Sequence, residues 1–174
     1  MTPLKKKICL IGAFAVGKTS MVERFVHNRF DEKYLTTIGV KVSQKVLSPQ
    51  KEPQTGRIIQ HTLMIWDIAG LEKFDNVARN YYRGAAGALA IADLTRPDTI
   101  GRLNEYCEKF RTICPRSPVV VLGNKLDIFT DDEKVLTELK RLAARFDTDS
   151  LLSSAKTGEK VEKAFQKLSM KFKS

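Results

Sequence analysis

The sequence predicts an α/β protein: six strands in a mostly parallel sheet with one antiparallel edge strand, and helices on both faces. Three observations predict it. GALAIAD and SPVVVLGN are apolar without interruption, the pattern of strands covered on both faces. Amphipathic helical segments alternate with short β-rich runs along the chain. GVKVSQKVL and IIQHTLMIWD are separated by SPQKEPQTG and Arg57, and the two prolines and one glycine there read as a loop, so this pair forms an antiparallel hairpin with a long tip.

The elements follow in order. KICLIG is the first strand, and KTSMVERFVHN after it is a helix with Met21, Val22, Phe25 and Val26 inward. The hairpin comes next. GALAIAD and SPVVVLGN then alternate with helices over about 98–113 and about 131–146, DSLLSS is a last short strand, and a helix over about 159–172 closes the chain. The 174 residues make one domain, 1–174, large enough for a full core. In such sheets ligands sit at the carboxyl ends of the strands.

Composition excludes several classes. Hydrophobic residues are 43% and charged residues 29%, ordinary for a water-soluble domain. No apolar run approaches the roughly 18 residues needed to span a bilayer, and no secretory leader opens the chain. Cys9, Cys107 and Cys114 are scattered without zinc-ligand spacing, which fits a reducing cytoplasm, with Cys9 a small core residue. The net charge of +10 gathers at the ends, in Lys5 to Lys7 and in Lys163, Lys167, Lys171 and Lys173. It reads as a solvated basic surface or as attraction to an anionic membrane surface or acidic partner. Nucleic acid is not expected, because aromatic and basic residues do not interleave.

GAFAVGKT fits G-x-x-x-x-G-K-[ST] between a strand and a helix. Gly12 and Gly17 let the backbone N–H groups of Ala13, Phe14, Ala15, Val16, Gly17, Lys18, Thr19 and Ser20 turn around phosphate oxygens, at the positive end of a helix. Lys18 supplies a point charge for the outer phosphates, and the Thr19 hydroxyl can ligate Mg²⁺. This loop alone does not choose between ATP and GTP. The choice comes from NKLD, at the end of a buried strand. Guanine presents adjacent N1–H and N2–H₂ donors that one carboxylate accepts together, and adenine lacks that pair, so Asp127 reads guanine. Lys125 can lay its methylene stem along the ring, and Asn124 can tie the segment to the phosphate loop or to the base. In SSAKTG, the Ala155 N–H could donate to guanine O6, with Ser154 and Lys156 steadying the loop.

With these segments in this order, the chain resembles a small GTPase of the Ras superfamily, most similar to the Rab branch. Besides GAFAVGKT, NKLD and SAK, TTIGV, WDIAG and YYRG carry the likeness, which covers nearly the whole chain. The resemblance implies GTP or GDP with Mg²⁺ as bound cofactors, and a role in signalling or vesicle transport. It implies Phe30 edge-on against the guanine, Tyr34 and Thr37 in a first switch, and Thr37 joining Thr19 on Mg²⁺, which Asp67 holds through a water. It also implies that the Gly70 N–H touches the γ-phosphate and orders a second switch. Lys18, Gly70 and the residue at position 71 would then form the catalytic set. Effectors and exchange factors would bind segments 30–42 and 67–82 of a monomer in the cytoplasm or peripherally on a membrane.

The pattern breaks at position 71. The family usually shows D-x-A-G-Q-E, and here the stretch is DIAGLE, with Leu71 where a glutamine orients the attacking water. Leucine has no donor or acceptor for that task, so hydrolysis should fall on the order of 10²–10³-fold, by analogy with losing one aligned electrostatic group. Phe14 stands where the family loop is usually small. Its ring either crowds the entry of an activating arginine or swings out onto the second switch. Ala15 is small and harmless. Whether Leu71 is natural drift or a deliberate exchange is left open by the residues. The chain also ends at MKFKS without the cysteines that Rab proteins prenylate. The leading expectation is therefore a GTP-binding switch with slow or impaired hydrolysis. Its rivals are an active GTPase using a substitute such as Glu72 to position water, and a nucleotide-bound module that does not switch. A nucleotide kinase is remote, since NKLD and SAK argue against it.

Overall fold

A computed structural model describes residues 3–33, 36–69 and 75–172, with the backbone alone for 75–78. Among the described residues, eight strands and five helices follow in the order β1 (Leu4–Ile11), α1 (Lys18–His27), β2 (Val40–Val46), β3 (Gln50–Lys51), β4 (Ile58–Ile59), β5 (His61–Ile68), α2 (Asp75–Tyr82), β6 (Gly87–Asp93), α3 (Asp98–Ile113), β7 (Val119–Asn124), α4 (Glu133–Arg145), β8 (Ser150–Leu152) and α5 (Val161–Ser169). A 3₁₀ turn, Leu126–Ile128, follows β7.

The main sheet has six strands in the order β2-β5-β1-β6-β7-β8, and only the edge strand β2 runs antiparallel to its neighbour. This is the predicted α/β architecture. Its reason lies in β6 and β7, where every residue is buried: strands with no polar face must be covered on both sides. Helices α1 and α5 pack together on one face, and α2, α3 and α4 pack in a row on the other. Phe25 of α1 and Phe165 of α5 stack with centroids 3.8 Å apart and planes within 3°. All three cysteines are buried and free, Cys9 among them as expected.

Four details differ from the sequence reading. The loop SPQKEPQTG is partly ordered: Gln50 and Lys51 pair with Ile59 and Ile58 in a separate two-stranded ladder. The returning strand is consequently broken at Gln60, whose side-chain amide donates to the Leu47 carbonyl at 3.0 Å. Helix α2 was not anticipated, since two turns are too short for a 3.6-residue period to stand out. Helix α5 stops at Ser169, three residues early, and Phe172 turns back to meet His61 edge-on at 5.3 Å. Helix α1 matches expectation, with Met21, Val22 and Phe25 buried and Val26 half-buried against the core.

Candidate functional site

The carboxyl ends of β1, β6 and β7 converge on the loop between β1 and α1. That loop turns through two glycines that tolerate no side chain. Gly12, at φ 149°, would place a Cβ 2.3 Å from the Ile91 carbonyl oxygen, and Gly17, at φ 104°, would place one 2.3 Å from Asn124 Nδ2. Ala15 also sits in the left-handed region, at φ 61°, a conformation that strains a residue with a Cβ. Ala13 and Val16 are buried, and Ser20 is half-buried in the first turn of α1. Lys18 is buried, and its ammonium donates to the carbonyls of Gly12 at 2.9 Å and Ala13 at 2.8 Å. Burial pushes it down to about 8, against the pull of Asp67 and with a further push from nearby Arg96. A buried cation held only by carbonyl dipoles is poised for an anion.

Beside it, three oxygen-bearing side chains meet. Thr19 Oγ1 donates to Asp67 Oδ2 at 2.5 Å and lies 2.6 Å from Thr37 Oγ1. Asp67 is buried, which pushes its carboxyl above the usual range against the Thr19 bond and Lys18, and its Oδ1 has no hydrogen-bond partner. Two hydroxyls and one carboxylate with an unpaired buried oxygen are a hard-oxygen set of the kind Mg²⁺ takes when phosphates and waters complete the octahedron. The residues fit that ion, and no group of three acidic, histidine or cysteine ligands occurs among the described residues.

The NKLD and SAK segments are brought to the same place. Asn124, closing β7, donates through Nδ2 to the Val16 carbonyl at 3.0 Å and accepts the Ala155 N–H on Oδ1 at 3.2 Å. It therefore ties NKLD both to the phosphate loop and to the SAK loop. The Ala155 hydrogen is spent on that bond, so a purine oxygen would have to share it or displace Asn124. Asp127 is exposed at the 3₁₀ turn, with its Oδ1 accepting the Ser154 hydroxyl at 2.6 Å. Lys125, in the left-handed region at φ 66°, reaches Asp93 at 2.8 Å. Phe30 is half-buried, and Lys156 pairs with Glu32 at 3.3 Å, which draws the Phe30 segment to the SAK loop. The Phe14 ring is 45% exposed. Tyr34, Gly70, Leu71 and Glu72 lie outside the described residues.

Three residues escaped the sequence reading. Arg24, on α1, donates through Nε to the Ala155 carbonyl at 2.9 Å and through Nη2 to the Lys156 carbonyl, holding the SAK loop from beneath. Asp93 and Arg96 join β6 to the phosphate loop. Burial would raise the Asp93 carboxyl, but bonds from Lys125, Thr95 and Arg96 outweigh it and hold the group below the usual carboxylate range. A signal for Asp93 was present: a lone carboxylate ending an otherwise apolar strand at the carboxyl edge. Arg24 left none, since an arginine on an amphipathic helix reads as solvated.

A phosphate-loop α/β domain, with NKLD and SAK tied to that loop at the strand ends, is thereby defined. The Ras family model matches residues 7–174. The chain is 37% identical to Ras-related protein Rab-4A of Bos taurus over 160 residues, 91% of this chain and 70% of the relative. It is 38% identical to human Rab-4B over 162 residues, 92% of this chain and 73% of the relative. It is 37% identical to the GTP-binding protein ypt4 of Schizosaccharomyces pombe over 164 residues, 91% of this chain and 68% of the relative. The chain belongs to the Ras family of small GTPases, in its Rab branch.

Proposed function

We propose that this protein is a GTP-binding switch, held with Mg²⁺ and slow to hydrolyse its nucleotide. Family membership supports the switch, since proteins of this family bind GTP or GDP with Mg²⁺. The observation that supports the reading is the pair of hydrogen bonds made by Asn124, which tie the NKLD turn to the phosphate loop and to the SAK loop. Asp127 would accept guanine N1–H and N2–H, with Ser154 aiming the carboxylate. Lys18 and the loop N–H groups would hold the phosphates, and Thr19, Thr37 and Asp67 would hold the ion, which when bound neutralises charge on the outer phosphates. Gly70 and Tyr34 are assigned to the two switches by resemblance.

Slow hydrolysis is argued from Leu71, which cannot orient a water. Effectors and exchange factors are assigned to segments 30–42 and 67–82. Ile38, 91% exposed, and Val42, 47% exposed, support a partner at the first of these. A monomer in the cytoplasm, with contact to an anionic membrane surface through the basic chain ends, completes the proposal. No described helix is long and apolar enough to cross a membrane.

Two measurements test this. Denaturing the purified protein should release GTP. GDP would show that hydrolysis proceeds, and an adenine nucleotide would overturn the guanine reading. In single-turnover assays Leu71→Gln should hydrolyse GTP on the order of 10²–10³-fold faster than the parent. Equal, appreciable rates would instead favour an active enzyme with a substitute group.

A further inference from the structure

Asp93 ends β6 with its carboxylate fully buried. Oδ1 accepts the Thr95 N–H at 2.9 Å and the Thr95 hydroxyl at 2.6 Å. Oδ2 takes two cations at once, Lys125 Nζ at 2.8 Å and Arg96 Nε at 3.1 Å. Arg96 then donates from Nη2 to the carbonyl of Phe14, in the phosphate loop, at 2.8 Å. The arginine is fixed at its own backbone, because its carbonyl accepts the Thr99 hydroxyl at 2.7 Å and Thr99 Oγ1 accepts the Asp93 N–H at 2.9 Å. A continuous polar line therefore runs Phe14, Arg96, Asp93, Lys125.

The ends of this line are the two halves of the nucleotide site. Phe14 belongs to the loop that faces phosphate. Lys125 begins the turn that presents Asp127 to the base, in a left-handed conformation with its side chain anchored on Asp93. A buried carboxylate cannot give up its cations cheaply, so Asp93 resists separation of the two halves. We propose that Asp93 and Arg96 are positioning residues that hold the phosphate loop and the guanine-reading turn at a fixed separation, so that a guanosine diphosphate or triphosphate is gripped and released at both ends together. This rests on the nucleotide reading above. Neither residue is placed on the nucleotide: Arg96 acts through the Phe14 carbonyl and Asp93 through Lys125.

The line predicts different effects for its members. Arg96 touches the phosphate half directly and reaches the turn only through Asp93. Asp93 serves both, so its loss also loosens the turn carrying Asp127 and blunts the preference for a base with a 2-amino group. The experiment compares the parent with Asp93→Asn, Arg96→Ala and Arg96→Lys. It measures release of GDP and of inosine diphosphate under excess unlabelled nucleotide with Mg²⁺, together with a thermal melt of each protein. Asp93→Asn should release GDP about tenfold faster and reduce the GDP-over-inosine-diphosphate preference, a loss on the scale of one charged hydrogen bond. Arg96→Ala should speed release of both nucleotides in equal proportion, and Arg96→Lys should recover part of the loss.

Parental release and preference in Asp93→Asn would overturn the proposal, whatever its melting temperature. So would a lower melting temperature with an unchanged preference and no effect of Arg96→Ala, the mark of a purely structural pair. If Asp93→Asn fails to fold, the half-exposed Arg96 decides: unchanged release in Arg96→Ala overturns the proposal. If the parent binds no GDP, it is the nucleotide reading that fails, before any variant is compared.

Discussion

Gly17 shows how little room the site leaves a single residue. A methyl group there would collide with Asn124 Nδ2 and would sit at φ 104°. Asn124 would have to abandon the Val16 carbonyl, so one substitution damages the phosphate loop and the end of β7 together. Gly17→Ala is expected to lose most nucleotide affinity and to cost about 1–3 kcal/mol of stability from backbone strain alone, checked by GDP titration and denaturant unfolding. At this scale the sequence was legible wherever chemistry is written in side-chain type. Thr19 bonds Asp67, and Asn124 bonds the phosphate loop, side-chain types that the motifs had singled out. It was illegible where a residue acts by reach. Arg24 crosses from α1 to carbonyls over 130 positions away, and no local pattern records such a contact.

Among elements, β6 and β7 were plain because uninterrupted apolar runs have one solution in a covered sheet. The span of α3, 98–113, came out as the period predicts. The small β3-β4 ladder was hidden because prolines and a glycine in SPQKEPQTG say where the chain turns, not that two residues on each side also pair. The seam between α1 and α5 gives a prediction at this scale. Phe165 is fully buried and stacked on Phe25. Phe165→Ala should destabilise the fold by about 3–5 kcal/mol, the cost of a large aromatic cavity, read as a lower urea midpoint with an unchanged slope. Phe165→Leu should recover most of it.

For the whole molecule, the far rim of the sheet sets a pH response. His61 is 4% exposed and packed edge-on to Phe172. Burial lowers its affinity for a proton below the ordinary 6.5, Lys6 lowers it further, and Glu52 opposes. The folded chain thus resists a proton that the unfolded chain accepts, and stability rises with pH through that window. On acidification from about pH 7 to about pH 5.5 the melting temperature should fall. His61→Phe should remove part of that slope. Losses from Asp93 and Glu23, whose folded carboxyls are both held low, belong to a separate range below the ordinary carboxylate values.

The same rim has a mechanical meaning. Ser169 bonds Gln50 at 3.0 Å, and Phe172 sits on His61, whose strand partner Leu4 begins β1. The eight residues of β1, about 25 Å of extended chain, separate this fastening from the nucleotide mouth. A tether fixed just past residue 172 would therefore hand its load to the amino ends of β1 and β5. Anchored there to a sensor chip, the protein should exchange nucleotide at its free-solution rate.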